Sequence, residues 1–386
     1  MIELTQVVPS LPPRVSGVGD YAVLLAGELR RAHDVYSRFI VGDPKWSGPP
    51  DLGGFPVMKV PARTAESLVT MLLRASGDGT PVLLQYVGYG YEQRGCPRWL
   101  VEGLEVWRSG GGDPRLITMF HELYARRGPV WTSSFWNSHL QRRLAARLAR
   151  ITDRSWTNRN LLRVELGRLA PRHDGRVTVQ PVFSNLGEPD SLPPLIQREP
   201  QAVLYGGVGR NVKGADSLSR AFGAALESLE LERVVCFGRR ANPLPRLRCP
   251  VVDAGVVSAG QITSTLKASR VGVLDYYQGE LAKSGIFAAY CAHGMVPVLT
   301  APDDSEADGL RAGSHFLVAP QLNTRLGIEH QQTVADSARA WYAGHTLSRT
   351  AAALIEDVAA PIRKEQGWAP DPAAPTQTGR RLRTPV

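Results

Sequence analysis

The chain has 386 residues, 43% of them hydrophobic and 21% charged, with 38 glycines and 29 prolines. That composition excludes a fibrous, collagen-like or wholly disordered chain. The net charge of +9 admits nucleic acid, anionic membrane or phosphorylated small molecules as partners, but only six of the 45 basic residues are lysine and the arginines are spread without a dense run, so nucleic acid is not expected.

The length exceeds what one core usually covers and predicts two domains. No apolar run reaches the roughly 20 residues needed to span a bilayer. The opening MIELTQVVPSLPP carries an acid and no basic stretch, so a signal peptide is not expected. Cys96, Cys236, Cys249 and Cys291 lie far apart without CxxC spacing, which argues against a disulfide framework or a zinc site and fits a cytoplasmic location.

The first half alternates strand-like and helix-like segments. Ile2–Val8 reads as a strand, and Gly19–Arg31 as a helix with Ala22, Leu25, Ala26 and Leu29 at helical spacing. Val35–Val41 and Val82–Tyr86 read as strands, Leu100–Trp107 as a helix, and Leu116–Phe120 as a buried strand ending at His121. The Arg-rich amphipathic segment Phe135–Leu148 follows, then strands at Asp153–Thr157 and Arg176–Pro181. A Pro-rich stretch, Asn185–Pro200, suits a linker. The alternation then restarts with strand Ala202–Tyr205, helix Asp216–Leu229, and strands Arg233–Phe237 and Val251–Asp253. Helix Ser258–Lys267, strand Val271–Leu274, helix Ser284–His293 and strand Val296–Leu299 complete it, before mostly helical Thr333–Ala359. The expected fold class is α/β, with two doubly wound parallel-sheet domains, 1–190 and 191–360, facing a central cleft, and a flexible tail at 361–386.

Ligands of such sheets bind beyond the carboxyl ends of the strands, which singles out four loops. In Pro9–Tyr21, the run Gly17-Val18-Gly19-Asp20-Tyr21-Ala22 matches GxGxxA. A nicotinamide fingerprint needs its first glycine directly after the strand, and here eight residues with three prolines intervene. A glycine loop admitting a sugar or phosphate to the helix start, or plain turn chemistry, remains. His121, followed by Glu122, falls at a strand's carboxyl end, where a functional role competes with a structural one. No second His or Cys stands three or four residues away, so no metal site is expected. In YGGVGRNVKGA, glycines including Gly207 and Gly209 bare backbone amides while Arg210 and Lys213 add positive charge ahead of a helix, an arrangement suited to a diphosphate. In DYYQGELAKSG, Lys283 and the amides around Ser284, Gly285 and Ile286 form a second anion-binding helix start, with Glu280 beside them to accept from hydroxyls. Capped helices and solvated charges are the plainer reading of both. Two anion sites, a carboxylate and a histidine together describe a ligand with a diphosphate and a polyol, such as a nucleotide-sugar. Tyr86, Tyr89, Tyr91 and Trp99 form either an aromatic acceptor platform or core.

Taken in order, the Ser16-Gly17-Val18-Gly19 loop, His121 in FHELYA, VGRNVKGAD and the segment IFAAYCAHGMVPVL resemble retaining GT-B glycosyltransferases of the family-4 type over residues 1–360. The resemblance implies transfer of a sugar from a nucleotide diphosphate sugar to an acceptor hydroxyl with retention, without metal or resident cofactor. It implies that Arg210 and Lys213 neutralise the diphosphate and that His121 hydrogen-bonds the donor sugar. One departure stands out: with Glu280 as the first acid of that family's Glu-x7-Glu pattern, the second falls at Ala288 or Ala289. The same architecture would serve a nucleotide-sugar epimerase, a phosphorylase or a non-catalytic nucleotide-sugar binder. The helix Phe135–Leu148 offers a possible peripheral membrane contact against a plain solvated face.

Overall fold

The computed structural model describes residues 2–75, 79–110, 115–125, 133–171, 176–205, 215–238, 247–300 and 306–359. The first lobe runs β1 (Ile2–Val8), α1 (Gly17–His33), β2 (Val35–Val41), β3 (Val57–Lys59), α2 (Ala65–Ala75), β4 (Val82–Tyr86), α3 (Gly88–Tyr91), α4 (Arg98–Ser109), β5 (Leu116–Phe120), α5 (Ser133–Ile151), β6 (Arg154–Thr157), α6 (Asn160–Leu169) and β7 (Val177–Val179). Its strands form a parallel sheet in the order β3-β2-β1-β4-β5-β6-β7. The second lobe runs β8 (Glu199–Tyr205), α7 (Ala215–Ser228), β9 (Arg233–Phe237), β10 (Val251–Gly255), α8 (Ala259–Ala268), β11 (Ser269–Leu274), α9 (Gly285–Ala292), β12 (Val296–Leu299) and β13 (Leu317–Val318). These strands are also parallel, in the order β10-β9-β8-β11-β12-β13. Helices α10 (Ile328–Tyr342) and α11 (Leu347–Ala359) close the described chain.

The strands read as near-continuous apolar runs because helices cover both faces of each sheet. In each sheet the order reverses once, between β1 and β4 and between β8 and β11. The crevice at such a switch point is where loops diverge and leave room for a ligand. Helix α1 begins where Ser16 accepts from the Gly19 amide at 3.2 Å and ends at Asp34 in the left-handed region, φ 53°. Helix α8 opens with a Ser258–Gln261 capping box.

Several elements go beyond the sequence expectation. Helix α2 buries Leu68, Met71, Leu72 and Ala75 on one face, a helical period that is present in the sequence. Helix α6 does the same with Leu162 and Leu166. The three-residue β3, the four-residue α3 and the two-residue β13 are too short for any period to announce.

The Pro-rich 185–200 stretch is anchored rather than loose. Arg198 is buried and donates to the carbonyls of Pro193 at 2.9 Å, Ser269 at 3.2 Å and His293 at 2.9 Å. Helix α11 follows the second lobe in sequence yet packs on α1 of the first. There the Asp357 carboxylate accepts from Arg154 Nε at 3.0 Å and Trp156 Nε1 at 2.7 Å. All four cysteines are free. Among the described residues no helix is long and apolar enough to cross a membrane. The tail expected to be flexible, 361–386, lies outside the described residues.

Candidate functional site

A cleft of about 1130 Å³ opens between the lobes, beyond the carboxyl ends of both sheets. From the first lobe Gly17, His121, Glu122 and Asn158 line it; from the second, Asp275, Glu280, Lys283, Gly285 and Ile286.

His121 follows β5, whose five residues are all buried. Its backbone amide donates to the Tyr86 carbonyl at 3.0 Å, and its ring meets Tyr21 edge-on at 5.2 Å. Nε2 lies 2.8 Å from Gln85 Oε1. Gln85 Nε2 donates to Gln6 Oε1 at 3.3 Å, and Gln6 Nε2 donates to Ser37 Oγ at 3.1 Å. With both amides oriented this way, Gln85 can only accept from the ring, so Nε2 carries the proton and Nδ1 is the acceptor nitrogen. Burial pushes the His121 pKa down to about 4, which keeps the ring neutral at ordinary pH. Gln6, Ser37 and Gln85 are fully buried strand residues. Their polarity inside a parallel sheet is the signal of this relay in the sequence.

Two further histidines are buried and neutral. Burial takes His293 and His345 to about 4 as well, with a hydrogen bond to the Ala289 carbonyl partly opposing it at His293. Because the folded values lie below the ordinary one, the unfolded chain takes up protons first on acidification. The stability present above about pH 6.5 is therefore lost as pH falls toward 4, by up to about 3 kcal/mol per histidine. The denaturation midpoint is expected to drop steadily across that window; a flat profile from pH 7 to 4.5 would contradict neutral burial of all three.

Across the cleft, Lys283 Nζ lies 3.2 Å from Glu122 Oε1 of the first lobe and 3.4 Å from Glu280 Oε2 of its own. Arg159, from the loop after β6, donates to the Gly279 carbonyl at 3.0 Å and stands 3.7 Å from Glu280 Oε1. Asn158 Oδ1 is buried without a partner. Glu122, Asn158 and Arg159 were not singled out as site residues, although they follow strands β5 and β6 by the same positional rule that found His121.

His121, Glu280, Lys283, Gly285 and Gly17 line the one cleft. Ser284 stands just behind it, buried and accepting from the Phe287 amide at 3.2 Å as the N-cap of α9. Gly19 packs against the loop after β1: a Cβ there would meet the Ser10 carbonyl oxygen at 2.5 Å, so glycine is required for close approach. Gly207, Gly209, Arg210 and Lys213 lie outside the described residues. Ala288 and Ala289, where the resemblance places a second acid, are buried in α9. Of the two readings of the aromatic cluster, core holds for three members: Tyr86, Tyr91 and Trp99 are buried, with the Tyr91 hydroxyl satisfied by the Val7 and Gln85 carbonyls at 3.1 Å each. Tyr89 alone of the four lines the cleft.

No protein-family model matches this sequence, and no curated protein is similar to it. Solved structures are. The chain is similar to trehalose-6-phosphate synthase OtsA, with a TM-score of 0.60 at 12% identity over 93% of this chain and 99% of that one. The fold is GT-B. A protein described as a UDP-N-acetylglucosamine 2-epimerase from Listeria monocytogenes aligns over 95% of this chain and 100% of its own, TM-score 0.57 at 12% identity. An α-glucosyltransferase in complex with UDP and a 13-mer DNA aligns over 92% and 99%, TM-score 0.54 at 10% identity. At such identities the likeness establishes the GT-B architecture and leaves the chemistry to the residues. In this GT-B chain the loops after β1 and β4 of the first sheet and the loop after β11 of the second border the cleft that His121 and Lys283 share.

Proposed function

We propose that this GT-B chain transfers a sugar from a nucleotide diphosphate sugar to an acceptor hydroxyl with retention, using neither a metal nor a resident cofactor. One observation carries the reading. A neutral, tautomer-fixed histidine of the first lobe lines the same hollow as the Glu280–Gly285 segment of the second. Such a hollow can hold a sugar on one side and its leaving group on the other.

In this reading the second lobe binds the nucleotide. A separate hollow of about 600 Å³, bounded by Phe237, Val257 and Ser258, is the candidate seat for the base. Arg210, Lys213, Lys283 and the amides of Gly285 and Ile286 stabilise charge on the departing diphosphate, a preorganised electrostatic contribution that needs no reorganisation during reaction. Glu280, held by Lys283 and Arg159, accepts from donor hydroxyls. Gly17 and Gly19 let the start of α1 approach the sugar. The His121 acceptor nitrogen takes a hydrogen bond from a sugar hydroxyl. Of the carboxylates that line the cleft near His121 and α9, Glu122 and Glu280 are engaged by Lys283 and Asp275 accepts from the Thr300 hydroxyl at 3.1 Å, so none of these three stands free as a nucleophile. The acceptor oxygen then forms its bond to the anomeric carbon on the face from which the phosphate leaves, and the leaving phosphate oxygen takes the acceptor's proton.

The test begins with thermal stabilisation by a panel of nucleoside diphosphates, UDP first because one structural neighbour holds it. The matching nucleotide-sugars are then offered with acceptors. Release of the nucleoside diphosphate coupled to a new glycoside supports transfer. The likeness to an epimerase gives a second reading, recognised by conversion of the sugar without release. Stabilisation without any consumption would mark a binder. His121→Ala is expected to lower kcat by about 10- to 100-fold, the loss of one buried hydrogen bond, while nucleotide affinity stays within about threefold. A loss confined to affinity would remove His121 from the sugar.

A further inference from the structure

The part of the cleft built by the first lobe carries charge to which the proposed donor contacts assign no role. Arg14 follows β1, Asp43 and Lys45 follow β2, Arg63 follows β3, and Glu92 follows α3; all five line the cleft. Asp43 is almost fully buried and both its oxygens are engaged. Oδ2 accepts from Arg14, while Oδ1 accepts from the Lys45 amide at 3.1 Å and stands 3.6 Å from an Arg63 nitrogen. Arg63 also lies 3.7 Å from Glu92. Among the described residues the Lys45 ammonium pairs with no carboxylate. Three cations therefore meet two carboxylates, and both carboxylates are committed to holding arginines.

Two polar atoms here are buried without a partner, Arg63 Nε and Ser10 Oγ. A closed structural ion-pair cluster would satisfy its own donors. A subsite for a neutral polyol would mix donors with free acceptors, because each hydroxyl both gives and takes a hydrogen bond. This corner offers donors in surplus and a net positive charge, the complement of an oxyanion.

Resting on the glycosyl-transfer reading, we infer that Arg14, Lys45 and Arg63 form a subsite for an anionic group on the acceptor, so that the acceptor is a polyol bearing a phosphate or a carboxylate. The donor's own diphosphate is assigned to the opposite lobe. In the free protein Asp43 and Glu92 hold the guanidinium groups in place, and the arriving oxyanion takes the Lys45 ammonium and the outward N–H groups of both arginines.

The test is equilibrium binding to the full chain of a set of sugar and polyol phosphates, the corresponding sugar acids, and their uncharged counterparts, with UDP binding measured alongside. At least one anionic compound is expected to bind about tenfold or more tightly than its uncharged counterpart, the scale of one charge-assisted contact. Preference for phosphates or for acids identifies which oxyanion the subsite takes. In a Lys45→Gln, Arg63→Gln double variant that preference is expected to fall below about threefold while UDP binding is unchanged. The inference is overturned if no anionic compound outbinds its counterpart, if the preference survives in the variant, or if inorganic phosphate competes as well as the best compound binds. It is also overturned if the variant loses UDP binding, which would assign the corner to the nucleotide. Stabilisation by UDP with no anion preference would leave the transfer reading standing and remove this one alone.

Discussion

Replacing Lys283 by alanine is expected to lower the rate of sugar transfer by about 30- to 1000-fold, the equivalent of about 2–4 kcal/mol for one charged partner of a developing anion. The position explains the size. The ammonium sits between Glu122 and Glu280 at 3.2 and 3.4 Å, largely shielded from solvent, directly before the first turn of α9. Removing it takes away a cation and also leaves two carboxylates facing the hollow, with Arg159 at 3.7 Å the one cation among the described residues that still offsets Glu280. A diphosphate entering there would meet uncompensated negative charge. The loss should appear in kcat/KM for the donor, and Lys283→Arg should restore much of it, since the charge returns with altered reach. Rates are to be read beside a denaturation curve, because Lys283 also bridges the lobes. An alanine variant that folds and transfers at the wild-type rate would remove this lysine from the diphosphate site and weaken the reading of the whole helix start.

The second large effect concerns the junction of α11 with the first lobe. Asp357→Ala is expected to destabilise the chain by about 2–4 kcal/mol, the range for stripping partners from a partly buried charged hydrogen-bond pair. Its two oxygens serve different donors, Arg154 Nε and Trp156 Nε1. Arg154 is partly exposed and can turn to water, so its share is screened. Trp156 is buried, and its indole N–H would be left without an acceptor. Most of the cost should therefore come from the tryptophan, which a double-mutant cycle with Trp156→Phe would isolate. Arg115 adds a second fastening by donating to the backbone carbonyls of Asp357 and Val358 in the last turn of the helix. There a cation also complements the helix dipole. The urea midpoint is the measurement. An unchanged midpoint would mean that α11 is held by its apolar face alone.

Much of the architecture was legible because it depends on local pattern. The strands Val35–Val41, Val82–Tyr86, Leu116–Phe120, Arg233–Phe237 and Val296–Leu299 have the bounds that their apolar runs announce. A strand buried on both faces cannot carry many polar residues, so its limits are written in hydrophobicity. Helices α2 and α6 carry a helical period in the sequence, whereas β3 and β13 are too short to carry one. At the site, His121, Glu280 and Lys283 were found by a rule of position, the loop beyond a strand's carboxyl end. That rule reaches Asn158 and Arg159 equally well, and nothing in their residue types marked them.

The sequence alone determined that this protein is built from two parallel α/β units with glycine-rich and charged loops at the strand ends. Periodicity and turn chemistry act between near neighbours and need no knowledge of the rest of the chain. Only the tertiary structure decided which charges meet. Lys283 and Glu122 are 161 positions apart and Arg154 and Asp357 are 203 apart, yet each pair is in contact. The same holds for the fate of Tyr91 as core and for the fixed tautomer of His121, which depends on Gln85 and Gln6 from two other strands. A charge or a ring nitrogen takes its partner from whatever folding brings within a few ångströms, and that proximity is set by the packing of whole elements.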